Sequence, residues 1–498
     1  MDWIILLVLS GIAFVLLVSV HPRYGFHGDE LYFIACGKAP AFGYVDHPAF
    51  VPLLSRVFGE LSDYSLRGVR LPAALSIALS VFLTGLLARR LGGGTFAVFV
   101  AAFSILATPA YLRAGSMLCI PCFEIPFWLL FAHALVGILG QRRNSDWIVL
   151  GLLVGLSFHN KHTTVFFVIG LLAGLLLTSE RRLLATRWPW LAALIAFAIF
   201  LPNLIWQASH DWATWEFVRN LNRNVMSRVP AEEFLIGQIL FFNPAGAVVW
   251  LAGLGYFLFA RESKPFRVLG WICPTVLVLL VVAKSKIYYS APAYPLLLAG
   301  GAVALERFGS TPVRRWVSRA VPTLQAALAL LFLPVVLPFS SIPQTEAYTQ
   351  SVLGSAVPDP EPITEDFRAQ TGWPELVQEV SKVFHQLPEE EQRSCAILGR
   401  SYSYSAAVDF YGPGLGLPAS ISGHNNYFLW GPRGELPGTV IGVGFPVERL
   451  AAACEEVTLA ATFENPLGRK YEREVPITIC RKPKGTLDEA WTTLKSYD

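Results

Sequence analysis

The chain has 498 residues, of which 54% are hydrophobic and only 15% charged, and its mean hydropathy is positive. A soluble globular protein of this size does not carry so much apolar side chain, so most of the chain belongs in lipid. A formal net charge of +3 over this length gives no reason to expect nucleic acid as a partner, and any positive charge that matters is local.

Apolar runs able to cross about 30 Å of hydrocarbon fall near 3–20, 71–88, 95–112, 125–140, 147–158, 163–179, 188–207, 234–260, 268–283, 287–305 and 320–338. They predict an all-α polytopic membrane domain of about eleven transmembrane helices. The runs 147–158 and 163–179 are short enough to form one broken or re-entrant unit. An odd number of spans puts the two ends on opposite sides. No Lys or Arg precedes the first run and no A-x-A site follows it, so it reads as a span rather than a cleaved signal peptide.

Lys and Arg in the short connections set the orientation. Arg89-Arg90, Arg142-Arg143, Arg181-Arg182 with Arg187, Arg261 with Lys264 and Arg267, and Arg307 with Arg314, Arg315 and Arg319 crowd one set of loops far more densely than the alternate set. The crowded set is expected in the cytoplasm. Three segments then lie outside: the first loop, 21–70, a second, 209–233, and everything after about 339.

The last segment is a change of composition. Beyond Gln344 come charged residues punctuated by Pro and Gly, with two short apolar runs at 395–398 and 439–443. Residues 373–387 carry a helical stripe through Leu376, Val377, Val380, Val383 and Phe384. The expected organisation is a transmembrane domain over 1–340 and an extracytoplasmic α/β domain over 341–498. Of the seven cysteines, Cys395, Cys454 and Cys480 fall in that domain. One disulfide is possible there, and three cysteines do not dictate which pair. Cys119 and Cys122 form a lone C-x-x-C beside an apolar run and read as packing.

The first outer loop holds His27-Gly28-Asp29-Glu30-Leu31-Tyr32 and then Gly43-Tyr44-Val45-Asp46-His47-Pro48. Its carboxylates are mixed with Phe33, Ile34, Phe42, Phe50, Leu53, Leu54 and Phe58, a composition suited to amphipathic helices at the membrane surface. Such helices would hold the carboxylates at a fixed depth. A second cluster, Lys284, Lys286, Tyr288 and Tyr289, ends an outer connection. Interfacial anchoring accounts for such residues, but lysines against the positive-inside bias also call for an anionic partner such as a lipid phosphate. Lys161, between Asn160 and His162, stands similarly between two apolar runs.

His27-Gly28-Asp29-Glu30-Leu31-Tyr32-Phe33, the Gly43–Pro48 motif, Asn160-Lys161-His162 and the Lys-x-Tyr-Tyr pattern of 286–289 with Tyr294-Pro295 resemble the bacterial branch of the dolichyl-phosphate-mannose protein mannosyltransferase family. That branch is related to the lipid A aminoarabinose transferase and has the GT-C membrane fold. Ser422–Tyr427 and Leu429–Pro432 resemble its extracytoplasmic domain. The resemblance implies a glycosyltransferase of the bacterial cytoplasmic (inner) membrane, moving a hexosyl or pentosyl unit from a polyprenyl-phosphate donor to an extracytoplasmic acceptor among the membrane lipids, proteins or glycans. Its active site and tail would face the periplasm. Asp29 matches the family's acid, with Glu30 as its catalytic neighbour. Lys161, Lys284, Lys286, Tyr288 and Tyr289 fall where donor phosphate is bound. Asp46, His47 and His162 are the substrate-binding candidates.

The chemistry suits these residue types. An acceptor hydroxyl needs a base as it attacks the anomeric carbon, and a carboxylate can serve. The departing lipid phosphate is already a good anion, so no second carboxylic acid is needed, unlike in a glycosidase. Lysines and tyrosines near the phosphate would stabilise its growing charge. One displacement inverts the anomeric configuration. No cofactor is called for; a divalent cation at Glu30 or His47 could assist, although no ligand spacing demonstrates one. The alternative is a transporter or flippase of lipid-linked sugars, for which internal repeats and mid-membrane ionisable residues would be expected.

Overall fold

The structure, a computed structural model, describes residues 1–224, 229–434 and 437–498. Residues 225–228, inside the second expected outer segment, lie outside the described residues. The chain divides into two compact units. One comprises Met1–His21, Val69–Ser209 and Leu221–Leu337; the other comprises Pro22–Gly68, His210–Asn220 and Pro338–Asp498.

The first unit is helical. Asp2–Val20, Leu66–Arg90, Ile120–Gln141, Trp188–Ser209, Lys264–Val282 and Pro312–Val336 are long and apolar enough to cross a membrane. Three helix pairs bend sharply at a short break: Thr95–Leu106 with Pro109–Gly115 (61°), Thr164–Leu176 with Ser179–Ala185 (112°), and Ala231–Leu240 with Pro244–Phe259 (102°). Among the described residues this gives six helices long enough to span, or up to nine if each bent pair counts as one, beside the eleven apolar runs. Several of the remaining apolar runs form shorter helices. Ser145–Phe158 has 14 residues, about 21 Å of rise, short of the hydrocarbon thickness. The run at 287–305 begins as a 3-10 turn, Ile287–Ala293, before the helix Tyr294–Phe308.

The breaks have local causes. At the 102° bend Pro244 starts the second helix, and Asn243 Oδ1 accepts the Ala245 and Gly246 N–H groups at 3.0 and 3.4 Å, satisfying donors a helix start leaves open. Asn243 Nδ2 also donates to the Ala107 carbonyl at 2.9 Å, tying this bend to the one at Ala107–Pro109. Helices Pro244–Phe259 and Tyr294–Phe308 pack backbone to backbone. A Cβ on Gly253 would meet the Leu297 carbonyl at 1.9 Å and one on Gly301 the Val249 carbonyl at 1.8 Å, so neither position accepts a side chain.

The second unit joins the first outer loop to the tail. The strands are β1 (Cys395–Gly399), β2 (Ser420–Ile421), β3 (Thr439–Val443), β4 (Cys454–Glu464) and β5 (Glu474–Pro483), in the order β2-β1-β3-β5-β4. β2, β1 and β3 run parallel, while β5 is antiparallel to β3 and to β4. The two apolar runs of the tail are therefore its central strands, fully or largely buried. Helix Trp373–His385 buries Leu376, Val377, Val380, Val383 and Phe384, the stripe read from the sequence. Cys454 and Cys480 are disulfide-bonded between neighbouring strands, and Cys395 is free.

The first loop forms two helices, Gly28–Lys38 and Phe50–Leu61. On the second, Leu53, Val57 and Leu61 make an exposed apolar stripe at helical spacing, with Phe42 exposed nearby. Trp212, Trp215 and Val218 do the same around helix Ala213–Asn224. Both are the shape of helices lying in a lipid interface.

Candidate functional site

Helix Gly28–Lys38 begins with a reciprocal cap. His27 is in the extended region, its Nδ1 accepts the Asp29 N–H at 3.0 Å, and its own N–H donates to Glu30 Oε2 at 2.8 Å. The Nδ1 of His27 is therefore unprotonated in this arrangement. Glu30, completely buried, is turned back onto the helix start. Asp29 leaves about half of its side chain exposed, with its Oδ2 3.7 Å from His27 Nδ1. Gly28 admits the close approach of the tail helices, since a Cβ there would meet Ser403 Oγ at 2.8 Å and the Trp373 ring at 3.2 Å.

The tail supplies Asp29 with a partner that sequence reasoning does not single out. Tyr402 Oη donates to Asp29 Oδ1 at 2.8 Å. Burial raises the Tyr402 phenol well above its ordinary range, and the nearby Asp29 and Asp46 charges raise it further, so it remains a donor at neutral pH. Its ring stacks on Tyr32, with centroids 4.4 Å apart, and its N–H donates to His424 Nδ1 at 3.3 Å. Tyr32 Oη in turn donates to Asp46 Oδ1 at 2.9 Å and accepts the Asn426 N–H at 3.1 Å. Asn426 Oδ1 accepts the Val45 N–H. The Ser422–Tyr427 motif thus holds Asp29 and Asp46 through two tyrosines.

His47 is walled in. Its Nδ1 lies 2.9 Å from the Pro48 carbonyl, which can only accept, so Nδ1 carries a proton and donates; Nε2 stands 3.9 Å from both Cys36 Sγ and Asp46 Oδ1. With Glu30 engaged at the helix cap, the two residues considered for a divalent cation both have other partners. Among the described residues no group of three or more His, Cys, Asp and Glu is placed to hold a metal.

The basic candidates belong to the first unit. Lys161 sits in the break between Ser145–Phe158 and Thr164–Leu176, and its Nζ lies 2.9 Å from Glu124 Oε2. Thr163 Oγ1 donates to the other oxygen of Glu124. The ammonium also stands 4.0 Å from the centre of the Tyr289 ring and 5.8 Å from that of Tyr288, and Lys286 approaches Tyr288 at 6.0 Å. Lys161, Lys286, Tyr288 and Tyr289 are therefore brought together. Lys284 is exposed, in a left-handed backbone conformation, and joins none of these contacts. His162 is directed to Asn203, its Nε2 3.3 Å from Oδ1. Glu124 escapes the sequence reading; its signal is a lone carboxylate between Phe123 and Ile125 at the head of an apolar run.

The profile of the dolichyl-phosphate-mannose-protein mannosyltransferase family matches residues 46–206. The chain is 26% identical over 289 residues to the lipid A galacturonosyltransferase RgtD of Rhizobium johnstonii, a match covering 54% of this chain and 58% of that protein. It is 25% identical over 373 residues to the undecaprenyl phosphate-α-4-amino-4-deoxy-L-arabinose arabinosyl transferase 2 of Pseudomonas fluorescens, covering 67% and 62%. The chain thus spans about three fifths of the length of the curated relatives it matches. Its fold matches the crystal structure of ArnT from Cupriavidus metallidurans bound to undecaprenyl phosphate, at a TM-score of 0.60 and 15% identity over 96% of this chain and 98% of that one. The apo structure of the same ArnT matches equally, at 0.60 and 16% identity over 96% and 97%. With its apolar helices and small C-terminal sheet, the protein is an integral membrane protein of ArnT-like GT-C fold. Motifs, family profile and fold all make the chain similar to the bacterial branch of the dolichyl-phosphate-mannose protein mannosyltransferase family, related to the lipid A aminoarabinose transferases.

Proposed function

We propose that this protein is a glycosyltransferase of the bacterial inner membrane that moves a sugar from a polyprenyl-phosphate donor to an acceptor on the periplasmic side. One observation carries the reading: Asp29 is a half-exposed carboxylate at the first turn of a rigidly capped helix, aimed by the Tyr402 hydroxyl. A base must reach a substrate proton and keep its orientation, and this residue meets both needs. Glu30 acts by holding the helix start. Asp46, hydrogen-bonded by Tyr32, orders the second half of the loop around His47.

Lys161, Lys286, Tyr288 and Tyr289 would receive the donor phosphate and stabilise its charge as the glycosidic bond breaks. Glu124 keeps Lys161 in place until then, and the phosphate takes over part of its contact. Attack by the acceptor hydroxyl, its proton passing to Asp29, breaks the bond to phosphate in one displacement and inverts the anomeric carbon. The helical unit is the membrane part of the transferase, and the unit that joins the first loop to the tail is its periplasmic part. Both curated relatives are named as transferases, which gives no support to the transporter alternative. Their names also make galacturonic acid, aminoarabinose and lipid A the first substrates to try.

Asp29→Asn keeps the shape and removes the base. Purified protein assayed with polyprenyl-phosphate sugars should lose roughly a hundredfold or more in turnover with donor binding retained, and cells relying on it should accumulate the donor lipid. A mutant keeping more than about a tenth of wild-type turnover would show that Asp29 is not the base.

A further inference from the structure

Helix Gly28–Lys38 has a second working face. Leu31 and Ile34 line one side of a pocket of about 370 Å³, within the usual range of about 300–1,000 Å³ for small-molecule sites. The tail supplies Asp409, Trp430 and Arg433 on its other side, and Lys38 closes the end of the helix. None of these residues belongs to the transfer chemistry proposed above.

The charges in the pocket are unequal. Asp409 is held by internal donors: Ser420 N–H at 2.7 Å on one oxygen, Tyr427 Oη at 2.9 Å on the other, and the Arg433 guanidinium at 3.4 Å. Arg433 adopts a left-handed backbone conformation, φ 54°, between Gly431 and Gly434, and its side chain is one third exposed. Such a conformation is unfavourable for a side-chain-bearing residue and persists only where the surroundings enforce it. Lys38 faces the rings of Tyr64 and Phe410 at 5.1 and 5.7 Å, and among the described residues no carboxylate lies within ion-pair distance of it. Two cations against one engaged carboxylate leave a net positive pocket with an aromatic wall. That combination suits a sugar ring, whose C–H face packs on an indole, bearing an acid group that takes charge-assisted hydrogen bonds.

Position adds a constraint. Asp29 and Lys38 are nine residues apart on one helix, about 14 Å of rise, too far for one monosaccharide to touch both. We infer that the pocket formed by Lys38, Arg433 and Trp430 is an acceptor subsite that binds one anionic sugar unit, bearing a phosphate or a carboxylate, of a longer acceptor glycan. The acceptor role rests on the transferase reading. The binding itself does not.

The test is calorimetric titration of the detergent-purified full chain with glucose 6-phosphate, glucuronic acid and glucose. At least one of the acidic sugars should bind roughly tenfold or more tightly than glucose, and the arm that responds tells phosphate from carboxylate. Lys38→Gln and Arg433→Gln should each weaken that binding by about tenfold, with thermal unfolding unchanged in Lys38→Gln, whose side chain is exposed and in no ion pair among the described residues. Ala35→Leu, which narrows the apolar wall without touching a charge, should weaken it as well. Equal affinity for glucose and both acids, wild-type affinity in the charge variants, or no binding of either acid would overturn the subsite. A protein that binds acidic sugars here yet transfers nothing in the turnover assay refutes the transferase reading and with it the acceptor role, and leaves the binding site standing. Active protein with a silent pocket refutes only the subsite.

Discussion

Lys161 Nζ and Glu124 Oε2 stand 2.9 Å apart with both side chains largely shielded, the lysine 16% and the glutamate 2% exposed. A buried pair is a poor source of net stability, but removing one partner strands the other. Lys161→Ala should therefore lower stability by about 3–5 kcal/mol as well as weaken donor binding. The double variant Lys161→Ala/Glu124→Gln should recover most of the stability and none of the affinity. Thermal unfolding in detergent and titration with undecaprenyl phosphate separate the two effects. Full affinity in the double variant would reduce Lys161 to a structural cation.

Tyr402→Phe removes the hydroxyl that aims Asp29 and leaves the ring stacked on Tyr32. A hydrogen bond to a charged group is worth about 1.5–3 kcal/mol, so kcat should fall roughly tenfold to a hundredfold while the donor KM stays near wild type. A merely structural tyrosine would instead change the unfolding temperature with kcat intact. Steady-state kinetics beside a melting curve distinguishes the outcomes.

Burial raises the Asp409 carboxyl above its usual range, although Arg433 and the donors from Ser420 and Tyr427 oppose the shift. A folded-state pKa above the unfolded one favours the protonated form on folding. The associated stability is fully present below the unfolded carboxyl pKa and is lost as pH rises through the folded one. Asp409→Asn lacks this titration, so its unfolding temperature relative to wild type should climb as pH increases through the acid range. A constant offset between the two proteins would show that Asp409 titrates as it does in the unfolded chain.

The proposed orientation is open to chemical labelling. Ser145 and Glu390 are exposed on the protein surface, whereas Cys36, Cys122 and Cys273 are buried. With Cys119 and Cys395 replaced, a cysteine at Glu390 should react with an impermeant maleimide in intact spheroplasts, and one at Ser145 only with a permeant reagent. Protection of both positions from the impermeant reagent would put the tail inside.

Local patterns are legible in the sequence where one element carries its own signal. The stripe of helix Trp373–His385 and the apolar runs of β1 and β3 each lie within a single element. The disulfide was open because three cysteines allow three pairs; the antiparallel neighbours β4 and β5 decide it. Hydropathy does not register bends such as the one at Asn243–Pro244, so it leaves open how the apolar runs divide into helices. Glu124 and Tyr402 were missed for a different reason. Each gains its importance from a partner distant in the chain, 37 residues away for Lys161 and 373 for Asp29, and no local pattern records such pairings.

That separation also sets an order of events during synthesis. Tyr32 accepts its hydrogen bond from Asn426, 394 residues later, and a ribosome adding about 5–20 residues per second needs roughly 20–80 s to cover that distance. Throughout this interval the first loop is already made while the residues that organise its carboxylates are not. A chain stalled or clipped before Tyr402 would be inserted in the bilayer with Asp29 and Asp46 still without these partners, so the loop is organised in one of the last steps of biogenesis.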